Sequence, residues 1–206
     1  MTIQQARRLL DGFLGGMVSK LAFQHVASLE FVRRSADATA LVSWPCRLDP
    51  RGFAAFTCNV GLRFEGLAGW LGDDPKEMAA TVGTPVHLLR DNRSFTEWKF
   101  SDAGDLEGLR GAILGDLDRL VLPYIERYST MPSLRGAVES ADAQDWIKLG
   151  LDQDRRVNVL AAIQMAQGDK AGAVKTLEDA LAERKAALPR RRIEIESLRR
   201  RLADAG

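Results

Sequence analysis

Residues that most often carry chemistry are scarce in this sequence of 206 residues, which has two cysteines and two histidines. Two cysteines outside any Cys-x-x-Cys pair cannot build a disulfide framework, so we expect a reducing compartment. The histidines, His25 and His87, lie far apart and belong to no Cys/His cluster, which argues against a structural zinc site. We therefore expect neither a metal nor a cofactor.

Long apolar runs and an excess of one charge are also missing. No uncharged apolar stretch reaches the roughly 18 residues that a membrane span requires. Asp11 interrupts the apolar stretch that follows Arg7 and Arg8, which makes the N-terminus a poor signal peptide. The 29 basic and 28 acidic residues leave a net charge of +1, too little to attract nucleic acid or an anionic membrane over long range. These features predict a soluble, cytoplasmic protein without a membrane partner.

Motifs of known enzymes are not found either. The glycine-rich stretch 12–16 is followed by Lys20, but its spacing does not match a phosphate-binding loop. Cys58 is expected on the buried face of a strand, where a thiol behaves as a small apolar group, and Cys46 lies near a turn. We predict no catalytic residue, so an enzyme ranks third among the functions considered.

The first hundred residues combine helical and strand periodicity. Apolar residues make up 46% of the chain and charged residues 28%, as in globular proteins. Apolar residues recur every three to four positions over 2–26, which predicts a helix. They then alternate over 53–62, which predicts a strand with one buried face, and 29–34 and 39–44 have strand character too. Short connections make these three strands antiparallel neighbours.

Further elements follow the third strand. A short helix is predicted over 64–71, ending at Gly72, and a second begins at Asp74. The stretches 86–90 and 95–100 flank a turn and predict a second hairpin. The expected total is about five strands.

Beyond Asp102 the periodicity is helical throughout. A long apolar stripe over 106–128 is expected to cover the sheet, with Pro123 kinking the helix or opening another. Two helices around Gly168 predict a hairpin, and a terminal helix follows residue 189. The hairpin resembles half a tetratricopeptide repeat through Ala161, Ala173, Leu177 and Ala180, although a plain helical hairpin packed on the rest of the protein is the preferred explanation. We therefore predict an α+β domain at 1–140 and a helical extension at 141–206.

The stretch from Phe31 to Leu67 carries a family resemblance. Phe31-x-Arg33 opens the first predicted strand, and the third contains the pattern Phe-x-x-Asn-x-Gly-aliphatic over 56–62. With Trp98 and the later Leu122-Pro123, these motifs resemble an uncharacterised bacterial domain family. The resemblance implies an α+β fold and brings no known activity. The fold expected overall is α+β, with an N-terminal helix, an antiparallel sheet covered by helices, and a C-terminal helical hairpin with a terminal helix.

Asn59-x-Gly61 is the first candidate for a functional site. Asparagine and glycine are both poor strand residues, so they predict a bulge or a close approach of a ligand or another backbone. Arg63, Trp44 and Trp98 could complete an aromatic and polar concavity that binds a small molecule or another protein. A bulge that only redirects the strand toward the 64–71 helix is the alternative.

An arginine-rich terminal segment is the second candidate. It contains Arg190, Arg191, Arg192, Arg199, Arg200 and Arg201. Basic helices can contact phosphates without reading sequence. Glu196 lies four residues before Arg200, however, and five acids lie in 102–118, so pairing within the protein or between subunits competes with this hypothesis.

The preferred function is a non-enzymatic protein-interaction or ligand-recognition protein, with the sheet as its recognition face. Its C-terminal helices would add a second binding surface or a homodimer contact. A nucleic-acid-associated protein that uses the terminal arginines is the alternative function.

Overall fold

The computed structural model describes residues 1–72 and 79–183, together with 196, 199 and 200. It is an α+β structure, as the sequence predicts, but its strands form two antiparallel sheets of five and three strands instead of one sheet. The strands are β1 (Gln24–Ala27), β2 (Glu30–Ser35), β3 (Ala38–Ser43), β4 (Cys46–Leu48), β5 (Ala54–Phe56), β6 (Asn59–Arg63), β7 (Val82–Pro85) and β8 (Trp98–Phe100). The helices are α1 (Ile3–Val18), α2 (Glu65–Leu71), α3 (Ala103–Asp116), α4 (Leu122–Tyr128), α5 (Met131–Glu139), α6 (Ala143–Lys148), α7 (Gln153–Ala166) and α8 (Lys170–Glu183).

Helix α1 is shorter than the periodicity predicts. Thr2 and Gln5 form a capping box at its start, and its apolar stripe, including Leu10 and Leu14, is buried. The helix ends at Val18, and Ala22 adopts a left-handed conformation with φ of 61°. A 3₁₀ turn at Ser19–Leu21 continues the helix, so the predicted helix is wrong only over 22–26, where the chain turns and its next residues pair as β1 with β2.

The larger sheet has the strand order β1-β2-β3-β6-β7, and all its neighbours are antiparallel. The β2–β3 pairing runs from Glu30 opposite Ser43 to Ser35 opposite Ala38, so the predicted strands at 29–34 and 39–44 are confirmed. We call the face with Phe31, Val42 and Leu62 the inner face, because these residues join the main core. The opposite side is the outer face.

The predicted strand over 53–62 is two strands that belong to different sheets. β5 is the central strand of a smaller sheet, β4-β5-β8, whereas β6 lies between β3 and β7 in the larger one. At the crossing, the Thr57 N–H donates to the Pro45 carbonyl and the Cys58 carbonyl accepts from the Val86 N–H. The alternation of buried residues continues through the crossing, which explains why periodicity alone cannot reveal it.

The second predicted hairpin is also wrong. β7 ends at Pro85 and pairs with β6, whereas β8 begins at Trp98 and pairs with β5. Between them, residues 86–89 form a single 3₁₀ turn instead of a strand. The two stretches therefore join separate sheets and do not pair with each other.

The long apolar stripe covers the sheets as predicted. Helices α3 and α4 are continuous through a π-helical turn at Leu117–Val121, and Pro123 lies in the first turn of α4. Leu106, Ile113 and Ile125 are buried in the same core as the inner face of the larger sheet.

The predicted helical hairpin is confirmed as α7 and α8, joined through Gly168 with φ of 82°. Ala161, Ala173 and Leu177 form a small core between the two helices. Helix α7 also packs on α2 and α5, and Leu149, Val159 and Ile163 share the main core with the sheet. Buried packing therefore crosses the predicted boundary between 140 and 141. The helix predicted from Asp74 and the terminal helix fall largely outside the described residues.

Within the described part of the chain, no helix combines the length and apolar character needed to cross a bilayer.

Candidate functional site

A cavity of 460 Å³ lies over the outer face of the larger sheet. Outward-facing residues of β2, β3, β6 and β7 form its floor, and residues 80, 81, 150, 151 and 155 form one wall. We call it the outer-face cavity. It contains Asn59 and Gly61, the pair that the sequence singled out.

Three polar side chains stand in a row across the floor of the outer-face cavity. Glu30 lies directly opposite Ser43, and Ser43 directly opposite Asn59. Side chains that face each other in this way have Cβ atoms roughly 5 Å apart. Among the described residues, none of the three side chains forms a hydrogen bond or an ion pair. We call them the polar row.

An apolar row runs beside the polar row. Val32 lies opposite Leu41, and Leu41 opposite Gly61, one pleat further along the strands. Val32 and Leu41 are half-buried, and Val26 of β1 is exposed at the rim. The floor therefore offers apolar surface next to unpaired polar groups.

Three glycines allow the wall to approach the sheet closely. Gly61 lies opposite Gly83, and a Cβ on Gly61 would lie 2.6 Å from the Ala80 Cβ. A Cβ on Gly150 would lie 1.8 Å from the Gly83 carbonyl oxygen. At Gly61 the closest neighbour is therefore the Ala80 side chain, and the Val82 carbonyl oxygen lies 3.2 Å from the same Cβ position. The predicted bulge is absent, because β6 pairs with β3 and β7 without a shift of register.

Arg155 of α7 completes the wall. One of its guanidinium nitrogens donates to the Thr81 carbonyl oxygen at 3.4 Å, and the side chain has a further interaction. Leu151, beside it in the cavity lining, is buried. Glu30 and Arg155 are the titratable residues among those that line the cavity in the described structure.

The structure does not bring the four predicted site residues together. Asn59 lines the outer-face cavity, whereas Arg63 lies four residues further along β6, is 4% exposed and pairs with Glu65 at 3.0 Å. Trp44 and Trp98 lie in an aromatic cluster with Phe56, and their ring centroids are 6.0 Å apart.

Strand alternation and the second sheet explain why Trp44 and Trp98 lie away from the outer-face cavity. Trp44 follows Ser43 directly, so its side chain is directed away from the outer face, and it is 1% exposed. Trp98 belongs to β8 of the smaller sheet, opposite Phe56. Neither indole lines the outer-face cavity, so the structure does not bring the tryptophans together with Asn59.

Sequence reasoning missed Glu30, Ser43 and Leu41. The signal that could have found them is the period of two in β2 and β3, combined with the pairing of β3 and β6. That pairing places positions 30, 43 and 59 on the same face.

The arginine-rich segment lies mostly outside the described residues. Arg190, Arg191, Arg192 and Arg201 lie outside the described residues. Arg199 forms an ion pair with Glu178 of α8 at 3.3 Å, and Arg200 is exposed. The one contact described is therefore of the kind expected for charge pairing within the protein.

The two cysteines lie in the core. Cys58 is 4% exposed, and burial, with a smaller effect of Asp116, raises the pKa of its thiol well above the usual value. Burial also raises the pKa of Cys46, which Arg7 lowers to a smaller extent. Both thiols are thus held in the protonated, unreactive form.

We expect slow alkylation of these thiols in the folded protein. A raised pKa leaves less thiolate at a given pH, so at pH 8 iodoacetamide should modify Cys58 more than about tenfold more slowly than in urea. Mass spectrometry of timed samples measures the rate at each cysteine. Equal rates for Cys58 with and without urea would contradict the burial of this thiol.

No family model, no curated protein and no solved structure matches the chain. The resemblance of residues 31–67 to a bacterial domain family thus has no support from a family model. Function has to be inferred from the geometry of the site.

Proposed function

We propose that this is a non-enzymatic ligand-recognition protein, which binds a small amphipathic molecule in the outer-face cavity. The observation that carries the proposal is the polar row, whose three unpaired side chains lie beside apolar surface in a cavity of 460 Å³. Cavities of roughly 300–1,000 Å³ are the usual size for small-molecule sites.

The lining favours binding through apolar contact. Val32 and Leu41 stay half-exposed on a face that the adjacent wall leaves uncovered. Covering such surface with an apolar ligand is favourable by about 25 cal/mol per Å². Gly61 and Gly83 have no side chains, so nothing fills the space between Leu41 and the wall, and a ligand can contact Leu41 there.

The polar row would fix the orientation of the ligand. Ser43 and Asn59 offer both donors and acceptors, and Glu30 offers a carboxylate. Because these groups have no partner among the described residues, a ligand could bond to them without breaking existing contacts. Specific pockets commonly combine an apolar lining with a few such polar groups.

A neutral fluorescent probe tests the proposal. N-phenyl-1-naphthylamine, which brightens in apolar surroundings, should bind the folded protein at a single saturable site. Replacing Ser43 by Phe fills the cavity and should weaken binding of the probe more than tenfold, measured by fluorescence titration.

Thr39→Phe is the matched control. Thr39 lies on the same strand and the same face, is half-buried as Ser43 is, and does not line the cavity. It should leave the affinity of the probe unchanged. Absence of saturable binding, or equal losses in both variants, would remove the outer-face cavity as the site.

A further inference from the structure

Glu30 is the charged residue of the outer-face cavity that has no ionic partner among the described residues. Its carboxylate makes no ion pair or hydrogen bond among the described residues. Arg7 lines a neighbouring cavity together with Glu30, yet the two form no ion pair. The carboxylate is thus left without a countercharge in direct contact.

Arg155, the other charge of the cavity, is in a different situation. Its guanidinium donates to the Thr81 carbonyl and takes part in a further interaction. These contacts tie it to the wall. A ligand charge that complements the cavity would therefore meet Glu30, and it would be positive.

Apolar surface begins one pleat away from this carboxylate. Val32 follows Glu30 on the same face of β2, at a distance of about 7 Å along the strand, and Leu41 lies opposite Val32. A cationic head held at Glu30 can thus extend an apolar tail over Val32 and Leu41 toward Leu151.

We propose that the ligand is a primary ammonium with an apolar tail. This inference rests on the proposed function, since it names the class of ligand for the same cavity. The ammonium has three donors and no acceptor, and the polar row offers acceptors at Glu30, Ser43 and Asn59. A carboxylic acid would instead meet the repulsion of Glu30.

Competition between three probes of equal chain length tests the class of ligand. Heptylamine, heptanol and heptanoate are titrated against protein carrying N-phenyl-1-naphthylamine at pH 7. Heptylamine should displace the probe at a concentration at least about fivefold lower than heptanol, because a charge-assisted hydrogen bond adds to the same apolar contact. Heptanoate should be the weakest of the three.

Glu30→Gln should remove the preference for the amine and leave the affinity for heptanol unchanged. The matched control is Glu126→Gln, which changes the net charge equally at an exposed position outside the cavity. This control should keep the preference. Direct titration of heptylamine by calorimetry repeats the comparison without the fluorescent probe.

The outcomes separate the two proposals. Equal displacement by heptylamine and heptanol, or equal losses in both glutamine variants, would overturn the ammonium and keep the cavity as a binding site. If none of the probes binds, the proposed function falls together with the inference. A preference for heptanoate would assign the recognition to Arg155 and overturn the inference directly.

Discussion

Replacing Gly150 by alanine is expected to destabilise the protein by about 2–5 kcal/mol, the largest loss predicted for any of the variants. Gly150 has a φ of +66°, and a Cβ there would lie 1.8 Å from the Gly83 carbonyl oxygen. The left-handed conformation costs a non-glycine residue about 1–2 kcal/mol. Displacing the wall from β7 adds an overpacking cost of about 1–3 kcal/mol.

The turn that carries Gly150 is also hydrogen-bonded to β7. The Gly83 N–H donates to the Leu149 carbonyl at 3.0 Å, so the turn before α7 covers the edge of β7. A displaced turn would expose this edge and widen the outer-face cavity, which Gly150 lines. The variant should therefore also bind N-phenyl-1-naphthylamine less tightly.

Gly168→Ala is the matched control for Gly150→Ala. Gly168 also has a positive φ, +82°, but a Cβ there meets nothing within 4 Å. Its cost should be limited to backbone strain of about 1–2 kcal/mol. Urea unfolding followed by circular dichroism gives both values, and equal losses would show that the contact with Gly83 does not constrain the fold.

Replacing Arg90 by leucine is expected to cost about 2–4 kcal/mol of stability, because it leaves the Asp116 carboxylate without its ionic partner. Arg90 donates to Asp116 at 2.5 Å and also to Thr96. Asp116 is 8% exposed and ends α3 beside the π-helical turn. A buried carboxylate without a partner is costly, whereas the pair itself contributes little net stability.

A second variant separates the ion pair from simple packing. Arg90→Leu combined with Asp116→Asn removes both charges and should recover about half of the lost stability or more. Lys175→Leu is the surface control, since Lys175 and Asp179 form an exposed pair at 2.6 Å, and it should leave the stability almost unchanged. If the single and double Arg90 variants are equally stable in urea unfolding, the loss does not come from an unpaired Asp116 carboxylate.

Short-range sequence patterns predict those helices, strands and turns whose ends or partners are set by residues nearby in the sequence. The β2–β3 hairpin, the end of α2 at Gly72 and the turn at Gly168 all depend on neighbours in sequence. The change of sheet between β5 and β6 does not, because alternation of buried residues has the same period in either sheet. Long-range partners such as Pro45 and Val86 fix that crossing.

The sequence predicts part of the candidate site, just as it predicts part of the fold. Asn59 and Gly61 stand out because both are unusual within a strand, and the structure places both in the cavity. Glu30 and Ser43 do not stand out, since polar residues on alternate positions are normal for a half-exposed strand. Only the register of β2, β3 and β6 shows that they are neighbours of Asn59.

The crossing from β5 to β6 has a consequence for how this fold tolerates change in chain length. One uninterrupted segment supplies the middle of the small sheet and an interior position of the large one. An extra residue at Thr57 would invert every side chain on one side of the insertion, sending Val60 and Leu62 to water and Asn59 inward. Insertions at this joint would therefore damage the core and the binding surface in a single step.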